Sequence, residues 1–566
     1  MVDLKDLGQV FSSDVLIIGG GIAGLITAIK IKEQDAGLDV LVVEKTAVGT
    51  AGGKANKGAG VLQVISEDDD VDKFVEYNVK TIGKYLNDQE LLEKYAYTSR
   101  DVVRDFERWG IQVMREDDGK LAKVEELPYW SLCAVDLDLM FKLRSVARKL
   151  GIRTVERTQA VELLTNNNRV VGAVGFNLIT GEYAIFQAKS TVLANGSCCW
   201  MVTNMWSAAR GDGIAAAYRA GAEMMNAEFS NFTNLGLRGN HSCHVGIQYS
   251  IYNNIGERLA PKYCAENEPD VDIGIFLGME KEVMEGKGPI RWKEDEMFNS
   301  NPLSAGGFLF RWNRPFAQNF WNRLMSKEER TNVDKRFEPE VIPQFIGEFA
   351  AVKVGHDMKT SLDGLWAVGD TSRSGAGWAG AVPAPGRMRG SGLMWAAVSA
   401  LLCVDSVIDS TRTAPEPDLD VGQVAKFKEE IYEPMKVEEG LDVREHIHYL
   451  KEAVAPPRFT HRKHADRIEE ALDMIKEIQS RLPSISPRND WHLLGLWHDL
   501  RNMALCAELY YTAALARTES RGWHYREDYP QQDDQNWLKW IILQDVNGQI
   551  GVRTEDIPID RYKFKP

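Results

Sequence analysis

A glycine cluster between two apolar runs constrains this chain more than any other feature. VLIIGG is a short β-branched run of the kind buried in parallel sheets, and GIAGLITAIKIKEQ continues it with helical spacing. Gly19, Gly21 and Gly24 lie at the turn between them in a G-x-G-x-x-G pattern. That pattern allows a tight turn, close approach of backbone to a pyrophosphate, and close packing of helix on strand. The stretch therefore predicts a Rossmann-like dinucleotide-binding unit.

The second strand of this unit ends in an acid. DVLVVEK places Glu44 twenty residues after Gly24, and Lys45 follows it directly. A carboxylate at this distance binds the ribose hydroxyls of a dinucleotide. A glutamate rather than a basic residue disfavours a 2′-phosphate. We expect Glu44 and Lys45 to lie at the cofactor.

Three further segments carry small or acidic residues next to predicted strands and helices. They are TVLANGS (Thr191 to Ser197), RGDGIAAAYRAGA from Arg210, and DGLWAVGD (Asp363 to Asp370), which precedes the glycine-rich APGRMRGSGLMWAAVSALL. A helix that opens after such a segment presents its positive end to an anionic or electron-rich group. The candidate cofactor-binding residues in these segments are Ala194, Gly196, Asp212, Gly369, Asp370, Gly390 and Ser391.

With these segments in order, the chain resembles the succinate dehydrogenase/fumarate reductase flavoprotein superfamily from Asp14 to about Val404. The resemblance implies FAD as cofactor. Members that attach FAD covalently carry a histidine just after the second strand, whereas no histidine precedes His241 here, so we expect noncovalent FAD. The segment TAVGTAGGKANKGAGVLQV is expected to line the isoalloxazine ring, although a merely flexible glycine loop is the alternative. Its candidate residues are Gly52, Gly53, Lys54, Asn56 and Gly58.

Composition along the chain predicts an α/β fold with an interrupted cofactor domain. A Rossmann-like FAD-binding domain is expected over residues 1–230 and 344–412, with an α+β capping domain over 231–343 that is rich in Trp, Phe, Tyr, Arg and Asn. Such a lid excludes water from a redox site. After the linker TAPEPDLDV, apolar residues at helical spacing predict a helical C-terminal domain over 413–566.

The C-terminal region sharpens the resemblance. YEPM at Tyr432 to Met435 and ARTESRGWHYREDYPQQDDQNW at Ala516 to Trp537 look most like the α subunit of dissimilatory adenylylsulfate reductase and its relatives. In that family the α subunit carries FAD and substrate, and a small ferredoxin-like β subunit carries two [4Fe–4S] clusters. The seven cysteines here include no C-x-x-C, which fits clusters on a partner chain in a hetero-oligomer. The tryptophans Trp523, Trp537 and Trp540 either dock that partner or pack the last helices.

Candidate catalytic residues come from the resemblance. Arg387, in PGRMRGSGL, corresponds to an arginine that stabilises reduced flavin or binds a substrate carboxylate, and Arg389 adds a second positive charge. Arg238, in GLRGNHSCHVG, corresponds to a substrate anchor, so we expect an anionic small-molecule substrate. His241 and His244 either relay protons or are hydrogen-bonded structure. Two histidines without a nearby acid are too few ligands for a metal, and we predict no metal site.

One departure separates this chain from both relatives. They carry a substrate-binding histidine about twenty residues before the GLWAVGD-like strand. Here that region holds Gln344, Phe345 and Glu348, and His356 is expected in a connection before the strand. Neither fumarate nor adenylylsulfate is therefore inherited as substrate. The aromatics Trp312, Phe316 and Trp378 fit either a flat, apolar part of a substrate or the core of the lid.

Charge and hydropathy exclude other classes. The 67 Lys and Arg against 82 Asp and Glu give a net charge of −15, which argues against a nucleic-acid or anionic-membrane binder. The longest apolar run, Ser391 to Val404, is shorter than the ~20 residues of a spanning helix, and no secretion signal is evident, so we expect a cytoplasmic protein. Three hypotheses remain. They are an FAD oxidoreductase subunit with an iron–sulfur partner, a fumarate reductase-like enoate reductase, and an electron-transfer subunit without its own substrate.

Overall fold

The computed structural model describes most of the chain. The described residues are 3–49, 61–127, 130–136, 138–202, 209–229, 233–238, 243–244, 250–264, 273–293, 340–373 and 391–566. Within them the strands are β1 (Gln9–Ile18), β2 (Val40–Val43), β3 (Val61–Val64), β4 (Lys123–Leu127), β5 (Trp130–Ala134), β6 (Arg153–Val155), β7 (Thr158–Asn166), β8 (Arg169–Asn177), β9 (Tyr183–Leu193), β10 (Met224–Met225), β11 (Thr233–Leu237), β12 (Cys243–His244), β13 (Ile251–Tyr252), β14 (Arg291–Trp292), β15 (Val341–Phe345), β16 (Leu365–Ala367), β17 (Lys539–Val546) and β18 (Gln549–Asp556).

The α-helices span all three predicted parts of the chain. Within the described ranges they are α1 (Leu4–Leu7), α2 (Ile22–Gln34), α3 (Val71–Tyr77), α4 (Gln89–Arg108), α5 (Leu139–Lys149), α6 (Asp212–Arg219), α7 (Ala260–Tyr263), α8 (Ile273–Met284), α9 (Ser391–Thr413), α10 (Val421–Tyr432), α11 (Val443–Val454), α12 (Pro457–Thr460), α13 (Ala465–Arg481), α14 (Trp491–Ala516) and α15 (Asp534–Trp537).

A mixed sheet forms the centre of the cofactor domain. Its order is β6-β2-β1-β9-β8-β7, and β16 pairs with the carboxyl half of β9. The strands β6, β2, β1, β9 and β16 run parallel to one another, whereas β8 runs antiparallel to both of its neighbours, β9 and β7. β2 is buried along its whole length, which explains its continuous apolar sequence VLVV. The predicted α/β fold and interrupted cofactor domain are thereby confirmed.

The longest apolar helix lies against this sheet. α9 packs on α2, where Thr27 Oγ1 lies 3.7 Å from Cys403 Sγ. By length and composition alone, α9 could cross a membrane, but 67% of its apolar window is buried inside the protein. A core helix of a folded domain has this same combination of length and burial.

The capping region follows the 3₁₀ turn Ala227–Phe229. Its described elements are the sheet β12-β11-β15, the strand pair β13 and β14, and the helices α7 and α8. After β15 the chain returns to the main sheet at β16. The domain boundaries at 231, 344 and 413 stay a prediction.

The C-terminal region is helical, as predicted, but it ends in a hairpin. β17 and β18 form an antiparallel pair around Asn547 and Gly548, and β17 also pairs with β10 of the cofactor domain. Asn547 and Gly548 have φ of 57° and 80°, the left-handed values that a tight hairpin turn requires. The Asn-Gly dipeptide between apolar runs is the sequence signal for this hairpin, which helical periodicity alone does not find.

Buried charges connect the C-terminal region to the entry of the capping region. Arg517 is fully buried, and its guanidinium donates to Glu228 (2.8 Å), Glu519 (2.7 Å) and two backbone carbonyls. Glu519 also binds Arg521. Glu228 belongs to the turn that precedes the capping strand β11. The ARTESRG motif is therefore an internal framework in this structure.

We expect Arg517→Met to destabilise the protein strongly. The substitution leaves Glu228 buried without its counter-ion, while Glu519 keeps only Arg521 as a counter-ion, a change that lowers the free energy of unfolding by about 3–5 kcal/mol. Arg104 is the matched control, because its side chain is 63% exposed and pairs with surface acids. Arg104→Ala should cost at most about 1 kcal/mol. Urea-unfolding midpoints of the two variants measure the difference, and equal midpoints would contradict the framework role.

The buried side chain of Lys463 makes the stability of the C-terminal region depend on pH. Its side chain is fully buried, with Nζ 3.5 Å from the Trp523 carbonyl oxygen. Burial, reinforced by the positive charge of Arg526, lowers the pKa of Lys463 to about 7. A lysine in an unfolded chain has a pKa of about 10.4, so between these values the unfolded chain holds a proton that the folded chain lacks. The free energy of unfolding therefore rises with pH between about 7 and about 10.4, and this gain is lost as the pH falls back to about 7.

Lys463→Met removes this dependence. The variant should unfold at higher urea than the native chain at pH 7, and its advantage should shrink steadily as pH rises toward 10. Exposed Lys94 is the control, because Lys94→Met should give no such trend. A pH-independent difference between Lys463→Met and the native chain would show that the buried amine is not the titrating group.

Candidate cofactor and substrate site

The glycine turn after β1 places its three glycines in three different environments. Gly19 has φ of 118°, and a Cβ there would lie 2.3 Å from the Ala194 carbonyl oxygen. A Cβ on Gly24 would lie 1.9 Å from the Gly19 carbonyl oxygen, so this glycine allows α2 to pack on the turn. A Cβ on Gly21 would meet nothing within 4 Å. Gly21 therefore borders an open space at the start of α2.

The amino terminus of α2 has the features of an anion site. Gly21 is its N-cap residue and supplies no side-chain cap, so the first amide groups are not capped from within the helix. The helix dipole adds positive charge at the same place. An open space beside uncapped amides fits the pyrophosphate of a dinucleotide.

Glu44 lies next to the same turn. It follows β2, is 8% exposed, and accepts a hydrogen bond from the Gly20 N–H at 2.8 Å. Its other carboxylate oxygen accepts from the N–H and the hydroxyl of Thr46. The carboxylate is thus held at the edge of the sheet where the dinucleotide is predicted. Its contact with ribose stays a prediction.

Two other predicted segments reach this edge. The Ala194 N–H donates to the Ile18 carbonyl at 2.8 Å, and Gly196 accepts a hydrogen bond from the Thr371 hydroxyl at 3.1 Å. Gly369 follows β16 with φ of 61°, and a Cβ there would lie 3.1 Å from Ala23 of α2. The structure therefore brings Ala194, Gly196, Gly369 and Asp370 to the edge that carries the glycine turn.

The helix α9 fixes the segment after β16. The Ser399 hydroxyl accepts from the Gly369 N–H at 2.8 Å, and the Trp395 indole donates to the Gly369 carbonyl at 3.2 Å. The predicted residue Ser391 is buried at the start of the same helix. Sequence reasoning missed Trp395 and Ser399, although their spacing of four residues on a predicted helix is the available signal.

Lys45 and Asp212 meet in a buried charge cluster. Lys45 Nζ pairs with Asp212 at 3.2 Å and also with Asp499 of α14, and the Gln159 amide donates to both carboxylates. Burial opposes ionisation of Asp212, but Lys45 together with the amides of Gln159 and Asn502 outweighs it and lowers the pKa of Asp212. Burial raises the pKa of Asp499, and neighbouring Asp212 adds to this effect. Sequence reasoning missed Asp499 and Gln159.

Arg238 lies at the end of the capping strand β11. Its side chain is 63% exposed, its Nε pairs with Glu340 at 2.6 Å, and its backbone N–H donates to the Glu340 carbonyl at 3.0 Å. These contacts join Arg238 to the residue just before β15. Its role as substrate anchor stays a prediction.

The remaining predicted site residues lie outside the residues that the structure describes. For His244 the backbone is described but the side chain is not. They include the candidate catalytic residues and the glycine segment before β3. The full set is His241, Arg387, Gly52, Gly53, Lys54, Asn56, Gly58 and Gly390, together with Arg389, Trp312, Phe316, Trp378 and the side chain of His244.

His356, Arg373 and Asp88 form a group of polar contacts near β16. The Asp88 carboxylate lies 2.8 Å from His356 Nε2 and accepts from Arg373 at 3.1 Å. Burial opposes ionisation of Asp88, but His356 and Arg373 together hold its pKa below the usual range. His356 lies in the turn before β16, which is the connection that the sequence predicted. Glu90 completes the local acidic set and pairs with Arg561.

The C-terminal tryptophans pack within this chain. Trp523 is 1% exposed, and the indole of Trp540 donates to the Leu86 carbonyl at 2.7 Å. Trp537 donates to the Thr518 hydroxyl at 3.0 Å. These contacts favour the packing alternative over a partner-docking role for Trp523 and Trp540.

Two families match parts of the sequence. Residues 14–237 match the FAD binding domain family, and residues 458–566 match the fumarate reductase flavoprotein C-term family. The 8-methylmenaquinol:fumarate reductase flavoprotein subunit of Wolinella succinogenes is 26% identical over 601 residues, covering 98% of this chain and 92% of that protein.

Solved structures share the fold. A quinol fumarate reductase variant from E. coli superposes with a TM-score of 0.83 at 18% identity, covering 99% of this chain and 98% of that chain. Adenylylsulfate reductase from Archaeoglobus fulgidus superposes with a TM-score of 0.77 at 19% identity, covering 98% and 97%. At these identities the likeness concerns the fold.

The site and these matches agree on the class. The chain belongs to the succinate dehydrogenase/fumarate reductase flavoprotein superfamily and is an FAD-dependent oxidoreductase. The open space at Gly21, the uncapped amides of α2 and the carboxylate of Glu44 fit the pyrophosphate and ribose of FAD. The predicted superfamily and cofactor are confirmed.

Matched alanine substitutions separate cofactor binding from folding at the glycine turn. Gly21→Ala adds a methyl group to the open space and should reduce FAD content, while the apoprotein keeps its stability within about 1 kcal/mol. Gly24→Ala places the same methyl against backbone and should destabilise the fold by about 1–3 kcal/mol or more. Flavin absorbance per chain and apoprotein unfolding midpoints check both. Unchanged FAD content in Gly21→Ala would contradict the assignment.

Proposed function

We propose that this chain is the FAD-carrying, substrate-binding subunit of a larger oxidoreductase. In this proposal it exchanges electrons between an anionic small molecule bound over the flavin and a ferredoxin-like subunit that carries [4Fe–4S] clusters. The observation that supports it is the dinucleotide edge of the main sheet with a capping region inserted between β10 and β16. A subunit that only carried electrons would need an exposed flavin and no inserted cap.

The described residues have distinct tasks in this proposal. FAD, when bound, supplies the hydride and electron chemistry at its isoalloxazine ring. The amides at Gly21 bind its pyrophosphate, Glu44 binds its ribose, and the Lys45–Asp212–Asp499 cluster holds the end of β2 against α14. The cap excludes water from the reacting groups. Arg238, His241 and Arg387 are the proposed substrate-side residues.

The spacing of the cysteines in the sequence supports a separate iron–sulfur subunit. Iron–sulfur clusters are held by closely spaced cysteines, and the seven cysteines of this chain include no C-x-x-C. The resemblance to the α subunit of adenylylsulfate reductase supplies a division of labour in which another chain holds the clusters. The fold likeness to that enzyme over nearly the whole chain supports this comparison.

A second candidate is a fumarate reductase-like enoate reductase. The observation that favours it is the 26% identity with a fumarate reductase flavoprotein subunit over nearly the whole chain. Against it stands the acid Glu348 in the region where that family carries a substrate-binding histidine.

Anaerobic purification from the native host tests the proposal. We expect flavin absorbance, a broad iron–sulfur shoulder, iron and sulfide in the preparation, and a small co-purifying chain. The purified complex, reduced chemically, is then mixed separately with adenylylsulfate, with sulfite plus AMP after reoxidation, and with fumarate. Flavin reoxidation or reduction in these mixtures identifies the substrate class.

The same preparation discriminates the alternatives. A yellow protein without iron, whose reduced flavin is reoxidised by fumarate, would replace the proposal with a self-contained enoate reductase. A complex that contains iron but whose flavin responds only to its partner would indicate an electron-transfer subunit.

A further inference from the structure

One histidine of the C-terminal region lies between two elements of the cap. His461 directly follows α12, its side chain is fully buried, and its Nε2 lies 2.5 Å from the hydroxyl oxygen of Thr233 in β11. On its other side, the imidazole stacks on Phe276 of α8, with ring centroids 5.8 Å apart and ring planes at 18°. The imidazole therefore contacts both a strand and a helix of the cap.

The strand that His461 contacts belongs to the base of the cap. β11 leads into the cap and β15 leads out of it toward β16, and the two strands pair with each other from Thr233 and Phe345 onward. A domain that is inserted through two such strands moves chiefly by turning about them. His461 is thus bound to the base of the cap through Thr233 and to its body through α8.

α8 faces the C-terminal region along one side. Phe276 is fully buried against His461, Glu280 lies one turn later, and Met284 lies one turn beyond it. Arg462 Nη1 lies 3.5 Å from the sulfur of Met284. The three helix residues are four positions apart, so they share one face of α8. That face is the side of the cap that packs on His461 and Arg462.

The contact between Glu280 and His461 is incomplete in this structure. A carboxylate oxygen of Glu280 lies 3.6 Å from His461 Nδ1, which is longer than a hydrogen bond. Among the described residues, neither Glu280 oxygen nor His461 Nδ1 has a hydrogen-bond partner, although all three atoms are buried. A buried carboxylate without a hydrogen bond is costly, so a small movement of α8 that completes this bond is favoured.

The carboxylate also determines which nitrogen of His461 carries the proton. An N–H at Nδ1 is attracted to Glu280, whereas a lone pair at that nitrogen is repelled by it. With the hydrogen on Nδ1, the neutral imidazole accepts the Thr233 hydroxyl proton at Nε2. The hydroxyl, the imidazole and the carboxylate are then aligned as successive donors and acceptors, an arrangement in which each contact strengthens the next.

We propose that His461 is a latch that holds the cap closed over the cofactor edge, and that Glu280 tightens it. Release of the latch lets the cap turn about β11 and β15 and admit a substrate, and completion of the Glu280 contact closes the cap again. The inference rests on the proposed function for the substrate that is admitted. The latch itself rests on the contacts of His461 with Thr233, Phe276 and Glu280.

His461→Phe tests the latch by hydrogen exchange of the FAD-loaded protein, followed by mass spectrometry of its peptides. The variant keeps an aromatic ring beside Phe276 but removes both nitrogens. Amide exchange in β11 and α8 should become about tenfold faster, because the hydrogen bond and the ion pair are lost, while β1 and β2 exchange at the native rate. Native exchange in the cap, or equally faster exchange in β1 and β2, would overturn the inference.

His446→Phe is the matched control. His446 is 2% exposed on α11, and its Nδ1–H donates to the Asp442 carbonyl at 2.9 Å within the C-terminal region. This substitution removes an equally buried imidazole whose hydrogen bond does not reach the cap, so β11 and α8 should exchange at the native rate. Faster exchange of the cap in His446→Phe as large as that in His461→Phe would show that the effect is not specific to the latch.

Glu280→Gln tests the tightening group. If Glu280 attracts the Nδ1–H of His461, the neutral amide weakens the latch, and α8 should exchange faster than in the native chain but more slowly than in His461→Phe. If the buried acid is only a cost, its neutralisation should slow exchange in α8, and the role of Glu280 is then wrong. These measurements need neither a partner chain nor a substrate, so their failure leaves the proposed function standing, and failure of that proposal leaves the latch standing.

Discussion

The parallel pairing of β9 is the constraint on which the rest of the structure depends. β9 lies beside β1 along almost its whole length, and on its other side it pairs first with β8 and then with β16. Parallel strands end at one edge of a sheet, so the turns after β1, β9 and β16 converge there. The glycine turn, Ala194 and Gly369 become one site because of this single strand.

Buried ion pairs attach the C-terminal region to both ends of the site. Asp499 of α14 reaches Lys45 at the end of β2, and Arg517 reaches Glu228 at the entry of the cap. Pairs of this kind contribute little net stability compared with apolar packing, but they are costly to misalign. They therefore fix how α14 sits against the cofactor edge more than they strengthen the fold.

Local patterns in the sequence were enough to predict the cofactor edge. Gly24 is informative because the atoms that a Cβ there would meet belong to the same turn and strand, whereas the close neighbour of Gly19 is Ala194, which follows β9. The partners of Lys45 were not predictable, because Asp499 lies 454 residues away and nothing local distinguishes it from other helix acids. For Glu348 the sequence shows an acid where a histidine was expected, but the burial and the φ of 125° depend on the tertiary fold.

The late position of β16 has a consequence for how the cofactor is acquired. Ribosomes make the chain from its amino terminus, and β16, Gly369 and the α9 residue Ser399 emerge long after β9. Until then the carboxyl half of β9 is an unpaired edge, which exposes it to wrong partners. On this architecture the FAD site is complete only late in the synthesis of the chain. The nascent chain is most vulnerable to aggregation after Leu193 has been made and before Leu365 has been made.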